Sequence, residues 1–169
     1  MKKTVLLITI GCLFFGCKKE ETTEFPFDSL VLSESGLRHS ISIKFTKSDT
    51  VFFQKRFPEP QGNFYAIIQS EEKIKLNKYF KKLDFNKFSS EYHQENLCDG
   101  YSCLINIIVN GKSKSISIYG NNAPKELYNY IDSLAYFKKN LKFISTKQII
   151  DFGDLTSFLP PPPPPLKEN

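Results

Sequence analysis

The chain has 169 residues with 23 basic and 18 acidic side chains, so its formal charge is a mild +5. Its lysines are scattered among polar and acidic neighbours rather than clustered, which excludes a phosphate-binding patch and argues against a nucleic-acid partner. Sixteen Phe and eight Tyr with no Trp supply a bulky aromatic core for one β-rich domain.

The chain opens with Lys2 and Lys3, an apolar run from Thr4 to Phe15, and Gly16 directly before Cys17, after which it turns polar. A basic start, a short apolar run and a small residue at the boundary are the parts of a secretory signal. The run is too short to cross a bilayer core, which takes roughly 20 residues. The pattern resembles a bacterial lipoprotein signal, in which the cysteine thiol is acylated and becomes the new N-terminus. That resemblance implies a signal peptide over residues 1–16 and Cys17 as the lipidation site. Cys12 also follows a glycine, but it would leave only Val5 to Ile10 as the apolar stretch, below the roughly 7–15 residues a signal needs.

Loss of residues 1–16 leaves 153 residues and lowers the charge from +5 to +3, because Lys2 and Lys3 leave with the signal. Lys18, rather than Asp, follows Cys17, which by the same resemblance implies sorting to the outer membrane. Lys18-Lys19-Glu20-Glu21 is similar to the short tag that sends some lipoproteins to the cell surface; read plainly, it is a solvated tether of mixed charge. A multiply acylated terminus holds a protein on a membrane without help from its folded part. The implied location is the cell envelope, lipid-anchored at the outer membrane.

Residues 17–27 read as a tether and 28–150 as a single α+β domain. Residues 29–34 are a candidate strand, and Ile41, Ile43 and Phe45 alternate with polar neighbours as a half-buried strand does. Val51, Phe53 and Phe57 form the next strand. Pro58 to Gly62 makes a turn, and Phe64, Ala66 and Ile68 follow as a further strand. Ser70 is the candidate cap of a first helix, with Glu71 and Glu72 in its first turn and Leu76, Tyr79, Phe80 and Leu83 on one face. Residues 84–102 read as irregular. Leu104 to Val109 reads as a central strand, Asn110-Gly111 as a hairpin turn, and Ile116 and Ile118 as the return strand. Pro124 opens a second helix whose stripe is Leu127, Tyr130, Ile131, Leu134, Phe137 and Leu141. Both helices end in Tyr-Phe-Lys-Lys, at 79–82 and 136–139. The expected architecture is an antiparallel sheet of about five strands with helices near 70–83 and 123–141 on one face.

Two cysteines remain after Cys12 is removed and Cys17 is acylated. Cys98 and Cys103 flank the turn signal Asp99-Gly100, and in an oxidising envelope such a pair is expected to form a disulfide. The rival reading is a metal site of His93, Cys98, Asp99 and Cys103. Zinc cysteines come two to four apart with a second pair elsewhere, and no second pair exists, so no metal is expected.

The succession Asn110-Gly111-Lys112, Ile116-Ser117-Ile118-Tyr119-Gly120, Ala123-Pro124-Lys125-Glu126-Leu127 and Ile131-Asp132-Ser133-Leu134-Ala135 resembles a family of small bacterial envelope domains of unknown function. The likeness covers residues 38–140 and is clearest from 99 to 135. In that family a cysteine-containing segment commonly precedes the first strand; here Ser35 to His39 holds none, so no disulfide carries over. The resemblance supports the fold and transfers no catalytic residue.

Residues 151–169 form a proline-rich tail with six prolines from 160 to 165. Such a run is stiff and extended, rising roughly 3.1 Å per residue, and is either a plain spacer or a ligand for an aromatic groove. No nucleophile elbow, phosphate loop, dinucleotide fingerprint or histidine-pair metal motif occurs, so no cofactor is expected. His39 stands alone before a strand. The reading is a non-enzymatic binding or structural domain with an envelope protein as partner. Its expected contact surface is the polar sheet face carrying Ser40, Ser42, Ser113, Ser115 and Ser117, together with the loop 86–103. The alternative is an envelope enzyme or enzyme inhibitor in which His93, Asp99 and Tyr101 of that loop converge.

Overall fold

The computed structural model describes residues 24–98, 100–156 and 158; Cys17, Asp99 and the six prolines lie outside the described residues. In chain order the strands are β1 (Ser29–Ser35), β2 (Ser40–Thr46), β3 (Thr50–Phe57), β4 (Gly62–Ile67), β5 (Glu91–His93), β6 (Ser102–Val109), β7 (Lys112–Tyr119) and β8 (Ile144–Thr146). Helix α1 (Ser70–Phe80) follows β4 and helix α2 (Lys125–Lys139) follows β7. The strands form one sheet in the order β5-β7-β6-β1-β2-β3-β4-β8. Every pairing is antiparallel except β5 with β7.

This corrects the expected α+β domain with about five strands: the described chain is mostly sheet, with eight strands and two helices. The two unforeseen edge strands, β5 and β8, are three residues each and too short to show alternation. Position makes them strands, since each adds to the edge of a sheet already formed by longer neighbours. The hairpin at Asn110-Gly111 is present, with Val109 opposite Lys112 and both turn residues at positive φ. Helix α1 is capped by Gln69 rather than Ser70, and the Glu72 carboxylate accepts from the Gln69 backbone N–H at 3.3 Å.

Period-two alternation gives the sheet two faces. On the first, Leu30, Leu32, Ile43, Phe45, Ile105 and Ile116 meet Leu76 and Phe80 of α1 and Leu127, Ile131 and Leu134 of α2. Phe25 and Phe27, counted with the tether in sequence, are buried in this core; both rings pack edge-on against Phe80, at 5.1 and 4.8 Å between centroids. Aromatic rings at this spacing anchor the chain from residue 25 onward.

Candidate functional site

The second face was expected to be an open contact surface, and the structure corrects this: the chain's own residues 148–153 pass over it. Lys44 Nζ donates to the Asp151 carbonyl at 2.6 Å, and Asn63 Nδ2 donates to the Gln148 carbonyl at 2.9 Å. A Cβ placed on Gly153 would sit 3.7 Å from Asn106 Nδ2. Phe152 is buried, as are Val31 and Leu104, and none of the three belongs to the helix-side core. Beneath this strap Ser33 and Ser42 are fully buried and share a hydrogen bond of 2.5 Å. Arg56 sits where the β2–β3 register shifts, an extra residue that re-aims its side chain. Its guanidinium donates to Ser42 Oγ, Ser40 Oγ, Gln54 Oε1 and the Ile41 carbonyl at 2.7–3.1 Å. The Phe158 ring lies 5.9 Å from the same guanidinium. Burial lowers the Arg56 pKa from its ordinary value. These residues hold the fold together.

The loop 86–103 does not gather its candidates. His93 lies opposite Tyr119 in the β5–β7 pair, the rings stacked at 5.1 Å on the strap face. Tyr101 lies on the helix side, where its hydroxyl donates to Glu34 Oε1 at 2.7 Å. Asp99 lies outside the described residues. The Tyr119 hydroxyl is committed to the Leu97 carbonyl at 2.8 Å and accepts from the Gly100 N–H at 3.2 Å. A small cleft of about 220 Å³ remains beside Glu91, His93, Ser102, Tyr119 and Phe158.

The expected disulfide is not formed in the structure. Cys98 is an exposed free thiol, and Cys103 is a buried one that faces the helix-side core beside Glu34 and Tyr101. Strand alternation decides this, because residue 103 shares the inward parity of Ile105 and Ile107. Burial, reinforced by the Glu34 charge, pushes the Cys103 thiol far above its ordinary pKa. Burial likewise raises the Tyr101 hydroxyl, with Cys103 and Glu34 adding to it. Lys138 on α2 is lowered by burial, with Glu34 acting against the shift. A thiol held protonated in this way is a poor nucleophile. Among the described residues no group of three His, Cys, Asp or Glu side chains is placed to hold a metal ion.

A larger concave surface than this cleft lies elsewhere, in a groove of about 610 Å³ between the two helices. Glu72, Lys75, Leu76 and Tyr79 line it from α1, at the spacing of one helical face. Asp132, Ser133, Tyr136, Phe137 and Asn140 line it from α2 at the same period. Its walls are aromatic and aliphatic, and Tyr136 is 70 % exposed above them. Glu72 and Asp132 place two carboxylates on its rim against one cation, Lys75. The Tyr79 hydroxyl reaches the Tyr130 carbonyl at 3.3 Å, and burial raises its pKa. The volume lies in the range of ligand pockets, roughly 300–1,000 Å³. Such a surface takes an apolar group flanked by positive charge. Sequence reasoning missed this groove because Tyr79 and Phe137 were assigned to the buried stripes. The repeated Tyr-Phe-Lys-Lys ends were the signal, since each leaves a tyrosine beside a buried or half-buried phenylalanine.

Among the described residues no helix is long and apolar enough to cross a membrane. A family model described as Domain of unknown function (DUF6438) matches residues 39–137, from just before β2 to the last turn of α2. No curated protein and no solved structure matches the chain.

Proposed function

The chain belongs to the DUF6438 family, whose description assigns no activity, and from its own residues we propose that it is a lipid-anchored envelope lipoprotein that binds a protein partner through the groove between its helices. The anchor is Cys17, acylated after removal of residues 1–16, and the domain is held at the outer membrane. The reading of the address rests on the basic start, the short apolar run and the Gly16-Cys17 boundary. The occupant of the groove is a segment of an envelope protein that presents an apolar side chain next to a basic one. The carrying observation is the pairing of tyrosine and phenylalanine walls with the Glu72 and Asp132 carboxylates. An exposed tyrosine above an apolar groove, as Tyr136 is here, is a typical anchor of protein–protein binding. Charge complementarity selects the basic neighbour.

Two measurements test the two parts separately. Cys17→Ser should abolish the lipid mass and release the protein from the membrane fraction; a variant that stays membrane-bound with its lipid overturns the address. A photocrosslinking residue at position 136, in intact cells, should give one discrete adduct. The same residue at position 149, which is 92 % exposed, should not. Asp132→Lys should abolish the adduct from position 136. Equal adducts from both positions, or none, overturn the groove as the binding site.

A further inference from the structure

The proline run is a motif that neither the fold nor the groove has absorbed. It reads Leu159, Pro160 to Pro165, Leu166, Lys167 and Glu168. Consecutive prolines form an extended helix of three residues per turn without internal hydrogen bonds, so rings and carbonyls stay available to a partner. Such a segment loses little conformational freedom on binding, and aromatic-lined grooves are the surfaces that take it. The groove between the helices has the dimensions and the charge for it. The Tyr79 hydroxyl meets the Tyr130 carbonyl, so the end of α1 lies beside the first half of α2. The lining runs from Glu72 to Tyr79 on α1 and from Asp132 to Asn140 on α2, about 10–12 Å at 1.5 Å per residue. That length holds about four residues of a proline helix, at roughly 3.1 Å each. Glu72 stands one helical turn from Lys75, which offsets its charge. Asp132 is exposed and has no ion pair among the described residues.

We propose that the occupant of this groove is the proline-rich segment of a second copy of the chain, with the last prolines and Leu166 against Tyr79, Tyr136 and Phe137 and with Lys167 on Asp132. The inference rests on the groove being the binding site. Leu166-Lys167 is an apolar side chain followed directly by a basic one, the combination that the aromatic walls and the unpaired carboxylate select. The copy is a second one because the chain's own tail starts on the other side of the sheet. Phe158 lies 5.9 Å from the Arg56 guanidinium and beside His93 and Tyr119 on the strap face, with the sheet between it and the helices. Only Leu159 separates Phe158 from Pro160, and a residue before proline is itself held extended. The stiff run beginning there spans about 19 Å and has no bend with which to round the sheet edge. A neighbouring copy's groove needs no such bend.

The test uses the full chain in intact cells, with the photocrosslinking residue at position 136 and the adduct read by mass spectrometry. The adduct should have twice the mass of the chain, and its crosslinked peptide should join position 136 to residues 159–167. Lys167→Glu should weaken this adduct about fivefold, the scale of one exposed ion pair lost. Asp132→Lys combined with Lys167→Glu should restore it, because the pair is then reversed rather than broken. Glu168→Gln should leave it unchanged. Exchange of the six prolines for a glycine-serine run of equal length should remove it. An adduct with a different envelope protein overturns the second copy as occupant and leaves the groove standing as the binding site. A crosslink to residues 159–167 within a chain of single mass, or a double-mass adduct joined elsewhere, overturns the tail exchange in the same way. No adduct from position 136, or an equal one from position 149, overturns the groove and the tail exchange together.

Discussion

On one side the sheet meets two regular helices through leucine, isoleucine and phenylalanine; on the other it meets a strap with no regular structure through serine, arginine, asparagine and backbone carbonyls. Both sides are buried. Phe45 and Phe152 are each almost inaccessible, one beneath α1 and α2 and the other under the strap. The helix side gains its stability from apolar area removed from water. The strap side gains it from satisfied hydrogen bonds around one guanidinium, with a single phenylalanine as its plug. Covers of the first kind unfold with the whole domain, while covers of the second kind can open alone.

Two phenylalanine truncations should separate these cases most clearly. Phe45→Ala removes a ring that packs on Phe80 at 5.3 Å and on Phe137 at 6.2 Å. It should cost about 4 kcal/mol, the range for a fully buried phenylalanine. Phe152→Ala should cost about 2 kcal/mol, because the strap can leave while the sheet persists. Urea unfolding measures both losses. Amide exchange in residues 148–153 should quicken in Phe152→Ala before any strand does. Equal losses with uniform exchange would mean that strap and helices belong to one cooperative unit.

The helix side was legible in the sequence because its signals are periodic. Leu127, Ile131 and Leu134 repeat at helical spacing, and Ile43 with Phe45 repeats at strand spacing. The strap side was not legible, for a physical reason. Ser40, Ser42 and Lys44 alternate with apolar residues just as a solvated face does, and nothing local says that a segment a hundred residues later will cover them. Phe152 in Asp-Phe-Gly-Asp has no periodic company. The cysteines show the same limit: the turn Asp99-Gly100 suggested closure of a small loop, but the parity of β6 sent Cys103 into the core. The helix groove was half legible, since the tyrosines were visible and the approach of the two helices was not.

The helix side should also carry the alkaline sensitivity of the domain. The Cys103 thiol and the Tyr101 hydroxyl have folded-state pKa values raised above their ordinary 9.0 and 10.0, chiefly by burial. A raised folded pKa means that the fold favours the protonated form. The stability of each group is therefore complete below its unfolded pKa and is lost as pH rises beyond it. Stability should begin to fall near pH 9 and steepen near pH 10, by at most about 1.4 kcal/mol per pH unit for each group. Thermal melts from pH 7 to about 10.5 should show the fall. Cys103→Ala should remove its earlier part, and an unchanged profile in that variant would move the sensitivity to another group.

The smallest effect sharpens the account of the strap side. Ser42 Oγ accepts from Arg56 Nη1 at 2.9 Å and shares the 2.5 Å bond with Ser33. Ser42→Ala thus strips one buried bond from the guanidinium and one from Ser33, and should cost about 1.5 kcal/mol. Ser33→Ala strips only the shared bond, leaves Arg56 with all four of its acceptors, and should cost about 0.7 kcal/mol. Once Ser42 is gone, Ser33 is an orphaned hydroxyl at zero exposure, so its removal should then be neutral or favourable. The double variant should accordingly lose less than the two single losses together, with a coupling of about 0.5 kcal/mol or more. Urea midpoints of the four proteins measure it. Strict additivity would mean that water enters beneath the strap and satisfies the hydroxyls, and that the strap is a looser cover than its hydrogen bonds to Lys44 and Asn63 imply.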